Sequence, residues 1–171
     1  MEKLKQLIRT IPDFPKEGIM FRDITPLLLN PRALQDTMKY FEIRYKGRKI
    51  DKIAGIESRG FIFGSMLALA LNIGFIPIRK PGKLPAEVER IDYSLEYGTD
   101  ALEMHKDAIN PGENILLVDD LLATGGTARA AIQLIESAGG TVVELAFLIE
   151  LLELNGSDKI EGYNKFSMIE Y

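Results

Sequence analysis

Residues 115–127 read ILLVDDLLATGGT, and this stretch decides the fold expected for the chain. It opens with a short apolar run containing β-branched residues, which is typical of a buried strand. Two adjacent carboxylates, Asp119 and Asp120, stand where that strand is expected to end. A turn with two glycines, from Thr124 to Thr127, then leads into the helical pattern ARAAIQLIESAGG. A strand, a glycine loop and a helix N-terminus in this order favour an anion-binding site.

The composition is that of an ordinary globular protein. The 171 residues are 46% hydrophobic and 27% charged, which favours a single domain with a sizeable core. A net charge of −4 argues against non-specific nucleic-acid binding, and the absence of cysteine excludes disulfides and thiolate metal sites. The chain shows no signal-peptide pattern and no apolar run of the roughly 18 residues that span a bilayer, so we expect a cytoplasmic protein.

Strand and helix patterns alternate along the chain. The strand pattern of residues 51–56, DKIAGI, precedes the turn ESRG, the helical pattern FIFGSMLALAL and the strand pattern GFIPIRK. The strand pattern VVELAFLIEL closes a second such unit, which starts at ILLVDD. This alternation predicts an α/β fold with a mainly parallel central sheet flanked by helices. The turns ESRG and DDLLATGGT both follow strands, so we expect them at the same carboxyl-end edge of the sheet.

Two segments lie outside this alternation. Residues 1–30 are expected to form a hood segment: residues 2–9 have a helical spacing of apolar residues, and the apolar stretch IPDFPKEGIMFRDITPLL, interrupted by three prolines, predicts an irregular segment packed over a pocket. Asn30-Pro31 resembles a helix start. Residues 84–110 contain the strand-like pieces SLEYG and ALEMHK, which predict a flexible two-stranded β flap. We find no linker or repeat, so residues 1–171 are expected to form one domain.

The turn 124–127 differs from the commonest phosphate motifs, because it matches neither GxxxxGK[ST] nor GxGxxG. Its glycine pair lets backbone N–H groups turn toward an anion. The alternative is an ordinary strand-to-helix turn capped by Thr127. Since Asp119 and Asp120 add acceptors for sugar hydroxyls directly before the turn, the residues favour a phosphorylated ribose as ligand.

The stretch VDDLLATGGT resembles the phosphoribosyl-diphosphate (PRPP) signature of type I phosphoribosyltransferases, and its ATGGT wording is similar to the adenine phosphoribosyltransferases among them. Further segments support the resemblance along nearly the whole chain: PDFPKEGIMFRDITPLL, GIESRGFIFG, and RKPGKLP followed by YSLEYG and LEMHKDA. The resemblance implies the type I phosphoribosyltransferase fold and the reaction of adenine with PRPP to give AMP and pyrophosphate. It also implies a homodimer, and Mg²⁺ chelated mainly by PRPP rather than by protein side chains.

The resemblance assigns the PRPP site to three groups of residues. Asp119 and Asp120 would bind the ribose hydroxyls, and the 5′-phosphate would lie on Ala123, Thr124, Gly125, Gly126 and Thr127. The pyrophosphate would contact basic side chains, for which the candidates are Arg59, Arg79, Lys80 and Lys83. Some of these could serve the neighbouring subunit, and for Lys80 and Lys83 a solvated surface remains the alternative.

The same resemblance points to catalytic and base-binding residues. Glu96 would be the general acid–base group for the proton on the adenine imidazole ring, Tyr97 a lid residue, and Arg59 a catalytic contact to pyrophosphate. Adenine would bind near Met20, Phe21 and Arg22. Without the resemblance, the residues alone favour an exposed hairpin carboxylate at Glu96. For Met20 and Phe21, ordinary core packing remains the alternative.

Two other functions remain open from the sequence. One is a phosphoribosyltransferase for another base such as xanthine. The other is a PRPP-sensing regulator, although a short acidic chain offers no obvious nucleic-acid-binding face. His105 is the only histidine, and without a neighbouring motif it gives no reason to expect a protein metal site.

Overall fold

The computed structural model describes residues 2–95 and 98–171, which form two compact units, Met1–Lys46 and Gly47–Tyr171. The first unit contains, in chain order, α1 (Glu2–Lys5), β1 (Arg9–Ile11), β2 (Phe21–Asp23), α2 (Thr25–Leu29) and α3 (Pro31–Tyr45). The predicted helix start is confirmed, because the Asn30 side chain accepts a hydrogen bond of 3.1 Å from the Ala33 N–H and Pro31 begins α3.

The strands of the first unit pair in an antiparallel hairpin, with Arg9 opposite Asp23 and Ile11 opposite Phe21. Arg9 also forms an ion pair of 2.5 Å with the Asp23 carboxylate. Hydrogen bonds from the Thr25 side chain and backbone, with help from Arg9, lower the pKa of Asp23 to about 2. The hairpin is therefore tied together at its open end.

The second unit carries the central sheet. Its elements are β3 (Lys52–Ile56), α4 (Arg59–Leu71), β4 (Gly74–Ile78), β5 (Val88–Leu95), β6 (Gly98–His105), β7 (Asn114–Leu122), α5 (Gly126–Ser137), β8 (Thr141–Glu150), two 3₁₀ helices (Leu152–Leu154 and Gly156–Ile160) and β9 (Lys165–Glu170). The sheet has the order β4-β3-β7-β8-β9, and every neighbouring pair is parallel. The predicted α/β fold with a mainly parallel sheet is confirmed.

Helices cover both faces of this sheet, as predicted. Alternate residues of a strand point to opposite faces. A Cβ added at Gly64 of α4 would lie 3.6 Å from Gly55 and from Ile53 of β3, so α4 packs on that face. Ala54 and Ile56, which point to the opposite face of β3, belong to one buried cluster with residues of α5, so α5 covers that face. Burial of both faces explains why the strands read as continuous apolar runs.

The flap is present as an antiparallel pair of strands, β5 and β6, in register from Val88 opposite His105 to Leu95 opposite Gly98. Its inner residues Ile91 and Tyr93 pack against the same buried cluster as α5. The strands are longer than the predicted pieces SLEYG and ALEMHK. Glu96 and Tyr97 lie outside the described residues.

Strand β7 extends further than predicted. The sequence places its end at Asp119, yet the strand continues to Leu122, because Leu121 and Leu122 still pair with residues of β8. The acidic pair is therefore part of the sheet rather than of the following loop. Among residues 2–95 and 98–171, the structure contains no helix with the length and hydropathy needed to cross a membrane.

Candidate active site

A cavity of about 290 Å³ lies at the carboxyl ends of β3 and β7. These strands are parallel neighbours, so the turns that follow them meet there, which confirms the expectation from the sequence. Most of the predicted anion-site residues line the cavity: Arg59, Lys80, Asp119, Asp120, and residues 123–127. Residues 56–58, Leu121, Leu122 and Ala128 complete its wall.

The acidic pair sits at the centre of this wall. Asp119 Oδ1 accepts a hydrogen bond of 2.8 Å from the Asp120 backbone N–H, and Asp120 Oδ2 lies 3.0 Å from Arg59 Nε. Burial and repulsion from Asp120 raise the pKa of Asp119 well above its ordinary value. Burial also raises the pKa of Asp120, although Arg59 opposes that shift. The site therefore holds two carboxylates that resist being charged together.

One oxygen of this pair has unused hydrogen-bonding capacity. The Arg59 contact is close enough for an ion pair, but it does not form a hydrogen bond to Asp120 Oδ2. This oxygen is buried and accepts no hydrogen bond from the part of the chain that the structure describes. A buried acceptor at a cavity wall suits a ligand hydroxyl, because an unmade hydrogen bond there is costly.

Gly60 lets helix α4 approach the acidic pair. A Cβ at this position would lie 2.8 Å from Asp119 Oδ1 and 2.9 Å from the Val118 carbonyl oxygen. Both distances are shorter than real Cβ contacts. The missing side chain thus allows Arg59, the preceding residue, to reach Asp120.

The loop after β7 has the backbone shape of an anion cradle. Gly125 has a positive φ of 76° and serves as the N-cap of α5, which begins at Gly126. The alternative interpretation of the sequence, in which Thr127 is the cap, is therefore wrong. Thr127 lies in the first helical turn. Its N–H belongs to the group of amides that the helix leaves without an internal partner. The N-terminal end of α5 thus borders the cavity and favours a negative charge there.

The predicted basic residues other than Arg59 divide between two carboxylates. Lys80, which lines the cavity, binds Asp100 and donates a hydrogen bond of 2.9 Å to the Tyr93 hydroxyl. Burial lowers the pKa of Lys80, but the hydrogen bonds to Asp100 and Tyr93 outweigh it and leave the pKa raised. The ammonium group is therefore charged at neutral pH.

Arg79 and Lys83 are not among the cavity-lining residues. They bind the two oxygens of Glu57 at 2.9 Å and 2.5 Å. Burial raises the pKa of Glu57, but the hydrogen bonds from Lys83 and Arg79 outweigh it and leave the pKa lowered. Glu57 is thus an ionised clamp that holds both basic side chains beside the ESRG turn.

The predicted base-binding residues lie in the first unit. Met20 is 46% exposed, whereas Phe21 and Arg22 are in β2 and partly buried. The Phe21 ring packs edge-to-face on Phe14, with centroids 5.1 Å apart. Arg22 donates a hydrogen bond of 2.5 Å to the Thr10 hydroxyl. The predicted catalytic residues Glu96 and Tyr97 lie outside the described residues.

Some residues that shape the site were missed from the sequence. Glu57 and Asp100 bind basic side chains, and Gly156 contacts the loop. Each of them contacts a partner more than 19 positions away in the sequence. The only signal at Gly156 is the turn dipeptide Asn155-Gly156, which marks a bend without indicating its neighbour.

Comparisons with known proteins agree with this geometry. A model of the phosphoribosyl transferase domain matches residues 24–169. The adenine phosphoribosyltransferase of Halothermothrix orenii is 59% identical over 168 residues, which are 98% of this chain and 99% of that protein. The crystal structure of adenine phosphoribosyltransferase from Thermoanaerobacter pseudethanolicus is 52% identical with a TM-score of 0.97, covering 99% of each chain. The Saccharomyces cerevisiae enzyme, solved with an imino-altritol bisphosphate and adenine, is 43% identical with a TM-score of 0.93, covering 98% of this chain and 97% of its own.

Proposed function

The chain belongs to the adenine phosphoribosyltransferase family, and we propose that it transfers the phosphoribosyl group of PRPP to adenine, forming AMP and pyrophosphate. One observation carries the proposal. A chain that matches such enzymes over 98% of its length brings an acidic pair, a glycine loop and a lysine to one cavity. These groups are complementary to the ribose, the 5′-phosphate and the pyrophosphate of PRPP.

The acidic pair would bind the ribose. Asp119 and Asp120 would accept hydrogen bonds from its 2′- and 3′-hydroxyls, and the buried Asp120 Oδ2 is an acceptor available for one of them. Cleavage of the C1–pyrophosphate bond leaves positive charge on the ribose ring. Carboxylates that are held close to the ring favour that charge in the transition state.

The glycine loop would bind the 5′-phosphate. Residues 123–127 border the cavity, and the N-terminus of α5 supplies backbone N–H groups and a favourable dipole. The hydroxyls of Thr124 and Thr127 would add donors. This holds the phosphate at one end of PRPP and places the ribose against the acidic pair.

Basic side chains would bind the pyrophosphate. Lys80 and Arg59 already border the cavity, and we propose that they contact the leaving group directly. Arg79 and Lys83 are bound to Glu57, so a pyrophosphate contact by them involves a change of partner or the site of a second subunit. A homodimer would supply that second site, and light scattering of the purified chain tests it.

Magnesium would come with the substrate. Among residues 2–95 and 98–171, no group of three acidic or histidine side chains is placed to hold a metal ion. The nearby Glu57 and Asp120 carboxylates each face a cationic side chain. A metal chelated by PRPP fits this arrangement, and when bound it supplies charge neutralisation to the pyrophosphate.

The base and its proton would be handled by residues assigned through family resemblance. Glu96 would act as general acid–base group on the adenine imidazole ring, an effect typically worth about 10²–10⁴-fold. Tyr97 would close over the site, and exclusion of water would protect the reactive ribose centre from hydrolysis. Met20, Phe21 and Arg22 of the hood segment 1–30 would surround adenine. We propose that the chain is a single phosphoribosyltransferase domain in which residues 1–30 are the hood segment, residues 84–110 the flap and residues 115–127 the PRPP loop. We propose a cytoplasmic location for it.

A substrate panel tests the proposal. The purified chain is given PRPP and Mg²⁺ with adenine, xanthine, guanine or orotate, and pyrophosphate release is followed. We expect turnover with adenine far above the other bases. Preferred turnover of xanthine would replace the base assignment. PRPP-dependent DNA binding without turnover of any base would instead support a regulator.

A further inference from the structure

The glycine loop rests on a second segment of the chain, backbone against backbone. A Cβ added at Gly125 would lie 2.2 Å from the Gly156 carbonyl oxygen, and a Cβ added at Gly156 would lie 2.1 Å from the Ala123 carbonyl oxygen. Ordinary Cβ contacts begin at about 3.4 Å. Two glycines therefore meet at this contact, and neither has room for a side chain.

Gly156 is anchored through the residue that follows it. It begins the 3₁₀ helix Gly156–Ile160, whose last residue, Ile160, is buried. Ser157, which follows Gly156 in the chain, donates a hydrogen bond of 2.6 Å to Glu150 at the end of β8. The chain next to Gly156 is thus tied to the end of β8, which limits how far Gly156 can move away from the loop.

The anchor includes an ion pair whose carboxylate is buried. Glu150 is only 2% exposed, and its carboxylate also accepts hydrogen bonds from Lys165 and Ser167 of β9. Burial raises the pKa of Glu150, but Lys165, Ser157 and Ser167 outweigh it and leave the pKa lowered. The carboxylate is therefore charged at neutral pH and keeps all three partners.

We propose that Gly156 is a positioning residue for PRPP, which sets the shape of the 5′-phosphate cradle by holding the Ala123–Gly125 backbone in place. This inference rests on the function proposed above. A methyl group at Gly156 would have to push the Ala123 carbonyl by more than an ångström to reach ordinary contact. Misplacing a site group by about 1 Å can cost about 10²-fold in rate, and we expect a loss of up to that size in PRPP affinity when the phosphate loop is displaced. We expect the loss to fall on PRPP binding, since the displaced Ala123–Gly125 backbone borders the cavity where the 5′-phosphate is proposed to lie.

The test compares two variants with a matched control. Gly156→Ala should raise the Kd for PRPP, measured by calorimetry with Mg²⁺, by about 10- to 100-fold. Its kcat at saturating PRPP and its KM for adenine should change less than about threefold, because an interaction made equally before and during the reaction affects KM. Ser157→Ala loosens the anchor without a clash, so it should raise the Kd for PRPP by a smaller factor. In Gly74→Ala, the control, the three atoms nearest to the added methyl belong to the flexible Lys52 side chain, and Kd should stay unchanged.

The outcomes separate this inference from the proposed function. If the unmodified chain does not bind PRPP, the proposed function fails. If it binds PRPP and both Gly156→Ala and Ser157→Ala bind it equally well, Gly156 has no positioning role. A lower Tm of Gly156→Ala with unchanged Kd would likewise assign the residue to stability alone. If Gly156→Ala does not fold, a raised Kd for PRPP in Ser157→Ala would support the positioning role, and an unchanged Kd would reject it.

Discussion

At the scale of single residues, the acidic pair shows a conflict between stability and chemistry. Asp119 has a raised pKa because it is buried and repelled by Asp120. A carboxyl whose pKa is higher in the folded than in the unfolded chain binds more protons when folded. Its ionisation therefore destabilises the fold, from pH values near 3.8 upward through the raised pKa. We expect the chain to retain this destabilising carboxylate because Asp119 is proposed to bind the ribose.

Asp119→Asn should make the chain more stable and less active. Each pKa unit of the upward shift corresponds to about 1.4 kcal/mol in the free energy of unfolding at neutral pH. We expect a higher Tm at pH 7, by about 2–4 °C per kcal/mol for a chain of this size. The gain should shrink as the pH falls toward 4, where the aspartate is protonated. Thermal unfolding across this pH range, with kcat/KM at pH 7, measures both effects.

The control for this prediction is Asp36→Asn, which removes an exposed carboxylate of α3. It should alter neither the Tm nor the activity beyond a small change. A Tm of Asp119→Asn equal to that of the unmodified chain at every pH would contradict the assigned cost of ionisation. Full activity would remove Asp119 from the ribose site.

Glu96→Gln tests the acid–base assignment. Glutamine keeps the size and polarity of the side chain but cannot exchange a proton. We expect kcat to fall by about 10²–10⁴-fold, with the Kd for PRPP nearly unchanged. Steady-state kinetics and PRPP calorimetry on the same preparation separate the two quantities. Unchanged kcat would reject the role of Glu96.

At the scale of secondary-structure elements, the position of α4 depends on one missing side chain. Gly60 lies in the first turn of α4 against Asp119 and the Val118 carbonyl of β7. The close approach allows Arg59 to form its 3.0 Å contact with Asp120. The helix thereby holds a cation beside two carboxylates that repel each other, and the cation offsets part of that repulsion.

Gly60→Ala should uncouple these two elements. The added methyl would lie 2.8 Å from Asp119 Oδ1, so either the carboxylate or the helix end must shift. We expect kcat/KM to fall by about 10²-fold, the usual cost of misplacing a site group by about 1 Å. Ser65→Ala, an exposed position further along the same helix, is the control and should keep full activity. Equal activity of the two variants would show that the close packing at Gly60 is dispensable.

The sequence predicted the elements better than the contacts between them. Apolar runs such as residues 115–118 indicate strands because the sheet is covered on both faces, and their alternation with helices leads directly to a parallel order. The extension of β7 to Leu122 was missed because it depends on pairing with β8. The contact of Gly125 with Gly156 was missed for the same reason, since no local pattern indicates a neighbour about thirty positions away.

At the scale of the whole molecule, the site should control stability through ligand binding. A ligand that binds only the folded chain adds about 2.7 kcal/mol at a concentration of 100 times Kd. For a chain of 171 residues this corresponds to a rise in Tm of about 5–10 °C. PRPP with Mg²⁺ should produce this rise without adenine, because the acidic pair, the glycine loop, Arg59 and Lys80 meet at one cavity within the unit Gly47–Tyr171.

The double variant Asp119→Asn, Asp120→Asn should lose most of that rise. Its own Tm is expected to be higher, so the quantity to compare is the increment caused by PRPP in differential scanning calorimetry. Removing two exposed carboxylates instead, by Asp36→Asn with Asp92→Asn, changes the net charge equally and should preserve the increment. If the acidic-pair variant kept the full increment, the ribose would be bound elsewhere, and the cavity at the ends of β3 and β7 would lose its assignment.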